Sequence, residues 1–123
     1  MKLVIQLWQT GAHDPQHGAT PFMIAASAAA MDVEVSIHAL GASVELFQQT
    51  NTARHAVVAP LGRPLSAYVE DALRSGVQIA LCSTAMRDRG LTAVDMIAEA
   101  QDVIGMVTML EVSLDPNCKV LVY

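Results

Sequence analysis

Apolar positions along this chain come in short runs separated by polar, glycine-bearing breaks, a rhythm that predicts alternating strands and helices. Leu3 to Trp8 is the first such run and predicts a first, central strand. The stretch Gln9 to Gly18 is rich in Gly, Asp and Pro and predicts a loop. Thr20-Pro21 then predicts a helix start, because threonine caps and a proline at the first helical position loses nothing by lacking an N–H. Phe22 to Met31 continues that helix and is nearly apolar all round, which predicts burial on more than one side. Val33 to His38 alternates and is rich in β-branched residues, the mark of a second strand. Ala42 to Phe47 fits a short helix or a strand, Gln48 to His55 reads as loop, and Val57 to Arg63 is a short apolar piece ended by a turn.

The clearest unit follows. Between Pro64 and Ser75, helical spacing puts Leu65, Tyr68, Val69, Ala72 and Leu73 on one face and Glu70, Asp71 and Arg74 on the other. Gly76 supplies the stop. Val77 to Cys82 is a strand, Ser83-Thr84 are expected to cap a short helix through Met86 to Arg89, and Gly90 ends it. Helix, glycine, strand and helix again is the βα rhythm of a parallel sheet, whose third crossover is expected to end on Cys82. Thr92 to Asp95 has the form of a capping box, and Gln101 to Ile104 reads as extended. Gly105 to Leu114 reads as a helix facing inward through Met106, Leu110 and Leu114, and Lys119 to Tyr123 as a final strand after the turn Asp115-Pro116-Asn117. The expected fold class is a small α/β domain spanning residues 1–123, built on a mostly parallel sheet of about five strands.

Composition changes this picture in one respect. Of 123 residues, 53% are apolar and only 15% charged, where surfaces normally carry roughly 25–35% charged residues. A domain this small cannot hide that fraction in one core, so self-association is expected. The net charge of −5, with seven Lys and Arg and no basic run, argues against a nucleic-acid surface. Nothing near the N-terminus resembles a secretory signal, and the alanine-rich segment Ala25 to Ala30 is too short to span a bilayer, so a cytoplasmic protein without membrane contact is expected. Cys82 and Cys118 do not make a disulfide framework and read as thiols in a reducing compartment.

Cys82 is the first candidate for chemistry. It closes a strand and precedes a helix start, where ligands of open α/β sheets bind and where helix N–H groups favour a thiolate. The competing reading is a cysteine packed into the core at a strand end.

The stretch from Gly76 through Cys82 to Leu91, GVQIALCSTAMRDRGL, resembles the cysteine segment of the DsrE/TusD-like sulfur-relay family. There, too, an amphipathic helix leads to a glycine, a hydrophobic strand, the cysteine, a short helix and a Gly-Leu pair. The remainder of the chain follows the family in outline. The resemblance implies a small flavodoxin-like, three-layer fold, a homo- or hetero-oligomer with a homo-trimer or hexamer foremost, and Cys82 as a persulfide-carrying sulfur acceptor. It also implies exchange with a small TusA-like carrier protein and chemistry that needs no metal or organic cofactor.

Around Cys82, Ser83 and Thr84 are candidate hydrogen-bond donors to a sulfur anion as well as helix caps, and Arg87 and Arg89 would add positive potential. His13 and His17, in the loop after the first strand, are candidate walls of the same pocket, and Trp8, at the end of that strand, either packs there or walls the pocket too. His13, Asp14 and His17 are metal-ligating types, but their i, i+1, i+4 spacing in a loop without a fourth ligand argues against a metal site. Cys118 is a candidate second thiol or an incidental cysteine at a strand start. No Gly-x-Gly-x-x-Gly or phosphate loop is present. Two functions follow: a sulfurtransferase or persulfide carrier working through Cys82, or a non-catalytic oligomeric domain that binds a small ligand or a protein. The first needs an accessible Cys82; the second survives its burial.

Overall fold

The computed structural model describes residues 1–11 and 13–123; Ala12, within the predicted loop, lies outside them. In chain order the elements are Lys2–Leu7 (β1), Pro15–Ala30 (α1), Glu34–Ala39 (β2), Val57–Val58 (β3), Arg63–Pro64 (β4), Leu65–Arg74 (α2), Gln78–Cys82 (β5), Ser83–Asp88 (α3), Asp102–Ile104 (β6), Met106–Ser113 (α4) and Cys118–Val122 (β7). Short 3-10 turns fill Gly41–Phe47, Thr52–His55, Ala93–Asp95 and Ala98–Ala100.

Five strands form one sheet in the order β6-β5-β2-β1-β7, and every pairing in it is parallel. The middle strand is therefore β2, with β1 beside it, rather than β1 as the sequence suggested. Val57–Val58 pairs antiparallel with Arg63–Pro64 outside this sheet. Cys82 accordingly ends the second crossover, not the third.

Strand alternation divides the sheet into two unlike faces. Ile5, Leu7, Val35, Ile37, Ala39, Ile79 and Leu81 point one way and are buried, in one core with Phe22 and Ala25 of α1 and Val69 and Ala72 of α2. The opposite face carries Glu34, Ser36 and His38 from β2, Gln78, Ala80 and Cys82 from β5, and Asp102 and Ile104 from β6. Here α4 returns the chain from β6 at one edge to β7 at the other, the direction that right-handed connection places on the second face.

Local chemistry accounts for where the helices differ from expectation. Helix α1 starts at Pro15, not Pro21, because Asp14-Pro15 is itself a cap followed by proline. The Asp14 carboxylate accepts from the His17 backbone N–H at 3.3 Å, and Pro21 is carried inside the helix. Its alanine-rich outer side is not buried: Met23 and Met31 are exposed. Helix α3 is capped by neither Ser83 nor Thr84, since Cys82 itself takes the N-cap position in extended backbone and Ser83 is the first helical residue. Helix α4 faces inward through Met109, while Met106, Leu110 and Leu114 lie exposed. The Thr92 backbone N–H donates to Asp95 at 2.8 Å, the expected capping box.

Candidate functional site

Cys82 stands at the carboxyl end of β5, paired in register with Ile104 of β6, and is only 2% exposed. Burial follows from its neighbours: the thiol sits in the core cluster with Ala80, Met86 and Met109. Two devices fix its place. Gly76, at φ +91°, turns the chain out of α2 and into β5, and Gly90, at φ +64°, ends α3.

A cleft of about 480 Å³ opens beside this strand end, lined by Ser83, Met86, Arg87, Leu91, Thr92 and Val103 among others. Ser83 adjoins Cys82, and Val103 precedes its strand partner Ile104. The structure thus brings Ser83 and Arg87 to a common cleft next to Cys82, with the sulfur behind its wall. Thr84 is exposed and lines none of the clefts described here.

His13 and His17 belong elsewhere. With Gln9, Thr10, Asp14 and Tyr123 they line a second cleft, of about 500 Å³, at the carboxyl ends of β1 and β7. Asp14 joins them through a hydrogen bond to the His17 ring, and this bond holds its carboxyl below the usual carboxylate range. His17 lies in α1, not in a loop. The His13 ring packs on Gly11 so closely that a Cβ there would meet Nδ1 at 2.5 Å. Trp8 is 59% exposed and lines neither cleft. Among the described residues, no group of three or more His, Cys, Asp or Glu side chains is arranged to hold a metal ion.

Cys118 opens β7 opposite Lys2, at the amino edge of the sheet. Cys82 is three strands across and about 20 Å along the strand direction from it, at ~3.3 Å per residue. Within one chain the two thiols do not meet.

By sequence His38 and His55 stand near likely strand or loop ends and read as ordinary surface histidines; His38 is instead buried, while His55 is exposed. His38 is 3% exposed, its Nδ1 has no hydrogen-bond partner among the described residues, and burial pushes its pKa down against a weaker opposite pull from Asp102. His55 Nδ1 lies 2.9 Å from the hydroxyl of the buried Ser66. No sequence spacing marks that pair, which joins a 3-10 turn to the first turn of α2.

Comparison with known proteins agrees with this architecture. The family model described as DsrE/DsrF-like matches residues 2–116. The ychN protein from E. coli superimposes with a TM-score of 0.78 at 14% identity, covering 100% of this chain and 99% of that one. MTH1491 from Methanobacterium thermoautotrophicum, a protein of unknown function, gives 0.68 at 14% identity over 99% of this chain and 98% of its own. BT1422 from Bacteroides thetaiotaomicron, a conserved protein of unknown function, gives 0.68 at 18% identity over 99% and 95%. At these identities the likeness is one of fold. No curated protein matches the chain.

Proposed function

The chain belongs to the DsrE/DsrF-like family, and from that premise we propose that it works in sulfur relay, with Cys82 as the thiol that carries sulfane sulfur. The observation that carries this reading is the position of Cys82: the last residue of a parallel strand and the N-cap of the helix that follows. The Cys82 thiolate attacks the outer sulfur of a donor persulfide, the donor S–S bond breaks, and the donor leaves as a thiolate. An acceptor thiolate then attacks the outer sulfur of the Cys82 persulfide and releases the Cys82 thiolate. Neither step needs an external oxidant or reductant.

Since the sulfur lies behind the cleft lined by Ser83 and Arg87, transfer requires α3 to shift enough to open that wall. Arg87 then stands beside the persulfide anion. A TusA-like carrier is the proposed donor or acceptor, and the proposed working form is a cytoplasmic homo-trimer or hexamer. The exposed apolar residues of α4, its C-cap and β7 support assembly: Val107 is 70% exposed, Leu114 77% and Val122 63%. Among the described residues, no helix is long and apolar enough to cross a membrane.

The burial of Cys82 favours a second reading, an oligomeric ligand-binding or protein-interaction domain that uses no thiol. Intact mass after exposure to a sulfane-sulfur donor separates the two. Relay predicts a gain of one sulfur atom, removed by reductant and absent in Cys82→Ser. A folded, reduced protein that gains nothing, or a gain that persists in Cys82→Ser, overturns it.

A further inference from the structure

Across the second face of the sheet, His38, Ala80 and Asp102 stand in one register row on three adjacent strands. The strand spacing of ~4.8 Å sets the two outer Cα atoms about 10 Å apart. Between an imidazole and a carboxylate, the row holds only a methyl group. Thr108 and Val112 of α4 stand on the far side of the resulting groove, which encloses about 250 Å³. That is smaller than the ~300–1,000 Å³ of sites for drug-sized molecules.

The state of the imidazole follows from its surroundings. Burial lowers its pKa, so the ring is neutral at neutral pH. With Nδ1 buried and without a partner among the described residues, the favoured tautomer carries the ring proton on Nε2, because orphaned buried N–H groups are rarer than orphaned acceptors. One end of the row is therefore a hydrogen-bond donor, and the other is the exposed carboxylate of Asp102. Ser36 and Gln78, paired in register one row below, add further polar groups to the floor.

We infer that this row is a binding site for a small zwitterion, an α-amino acid, whose carboxylate accepts from His38 and whose ammonium donates to Asp102 across Ala80. At this row a simple anion would meet the Asp102 carboxylate and a simple amine would leave the His38 donor unmet; Lys2 and Glu34, paired in register at the amino end of the groove, also line it and carry opposite charges. The site makes no use of Cys82 and stands apart from the relay reading.

The test follows the ring resonances of His38 by NMR during titration of the whole protein with L-alanine, lactate or ethylamine. L-Alanine is expected to shift them saturably, with a midpoint near millimolar, and lactate and ethylamine to bind about tenfold more weakly or worse. Asp102→Asn, a change at an exposed side chain, is expected to weaken alanine binding by about tenfold. Ala80→Val fills the floor and is expected to abolish binding. Cys82→Ser is expected to bind as the wild type does, so the outcome does not depend on sulfur chemistry. The proposal is overturned if alanine leaves His38 unmoved at tens of millimolar, or if either half-ligand matches it. Full affinity in Asp102→Asn overturns it as well, and that variant decides the matter should Ala80→Val fail to fold.

Discussion

Cys82 and Cys118 occupy opposite ends of the same parallel sheet, one level with Ile104 at its carboxyl edge and the other level with Lys2 at its amino edge. A disulfide needs Cα atoms within about 7 Å, so one chain cannot use the second thiol to resolve a persulfide on the first. The two also differ in exposure, Cys82 being buried and Cys118 half-buried. Alkylation of the native protein is therefore expected to modify Cys118 at least tenfold faster than Cys82, with the difference vanishing in denaturant. Peptide mass mapping over a time course reads this directly. Equal native rates would show that the wall over Cys82 opens freely.

Helix α4 offers a contrast between neighbouring residues. Met109 is 2% exposed, whereas Leu110 is 49% exposed. Met109→Ala is expected to cost about 2–5 kcal/mol in urea unfolding, from lost burial and the cavity left behind. Leu110→Ser is expected to change monomer stability by no more than about 0.5 kcal/mol. If the apolar outer side of α4 is an interface, Leu110→Ser lowers the mass seen by light scattering, while Met109→Ala lowers the urea midpoint.

His38 makes stability depend on pH in a defined direction. Its folded pKa is lowered from the ordinary 6.5, chiefly by burial. The unfolded chain therefore takes up a proton first as the solution is acidified. Stability from this residue is present above pH 6.5 and is lost as pH falls from there toward the lower folded value. His38→Phe is expected to flatten the fall in melting temperature over that window. The carboxyls of Asp14 and Asp71, both held low by hydrogen bonds, act only in more acidic solution, below the ordinary 3.8. An unchanged profile in His38→Phe would place the acid sensitivity elsewhere.

Asp14 caps α1 in place of the threonine that sequence favoured. Asp14→Ala is expected to lower the denaturation midpoint, and Asp14→Asn to lower it much less, because asparagine is an equally good cap. Thr20→Ala is expected to be nearly silent, as Thr20 lies inside the helix and its hydroxyl donates to Gln16 at 3.3 Å. Chemical denaturation of the three variants distinguishes the two helix starts.

The unit from Leu65 to Gly90 was legible because three signals agree there: a helical apolar stripe, a glycine at positive φ, and an uninterrupted apolar strand. Family membership was legible from the same stretch, through the residues around Cys82. The start of α1 was not, because Asp14-Pro15 and Thr20-Pro21 carry the same signal and one missing N–H does not stop a helix of 16 residues. The inward face of α4 was hidden for a different reason. Met106, Val107, Met109, Leu110 and Val112 are apolar nearly all round the helix, so periodicity cannot choose a side. The alternation of Glu34, Ser36 and His38 with Val35 and Ile37 was visible in β2. What stood beside His38 depended on strand order, which no local pattern contains. Nor does any local pattern disclose that Cys82 is covered.

The pairing of β7 with β1 has a consequence for how the chain is made. Strand β1 is synthesised about 110 residues before Cys118–Val122, the strand that covers its outer edge. At about 5–20 residues per second a ribosome needs on the order of ten seconds to reach that partner. During that interval the nascent chain presents a bare edge strand flanked by apolar residues, the geometry most open to pairing with another chain. Vectorial synthesis therefore leaves β1 dependent on a strand made much later, and termination before Cys118 would yield a product that is sticky rather than merely shorter.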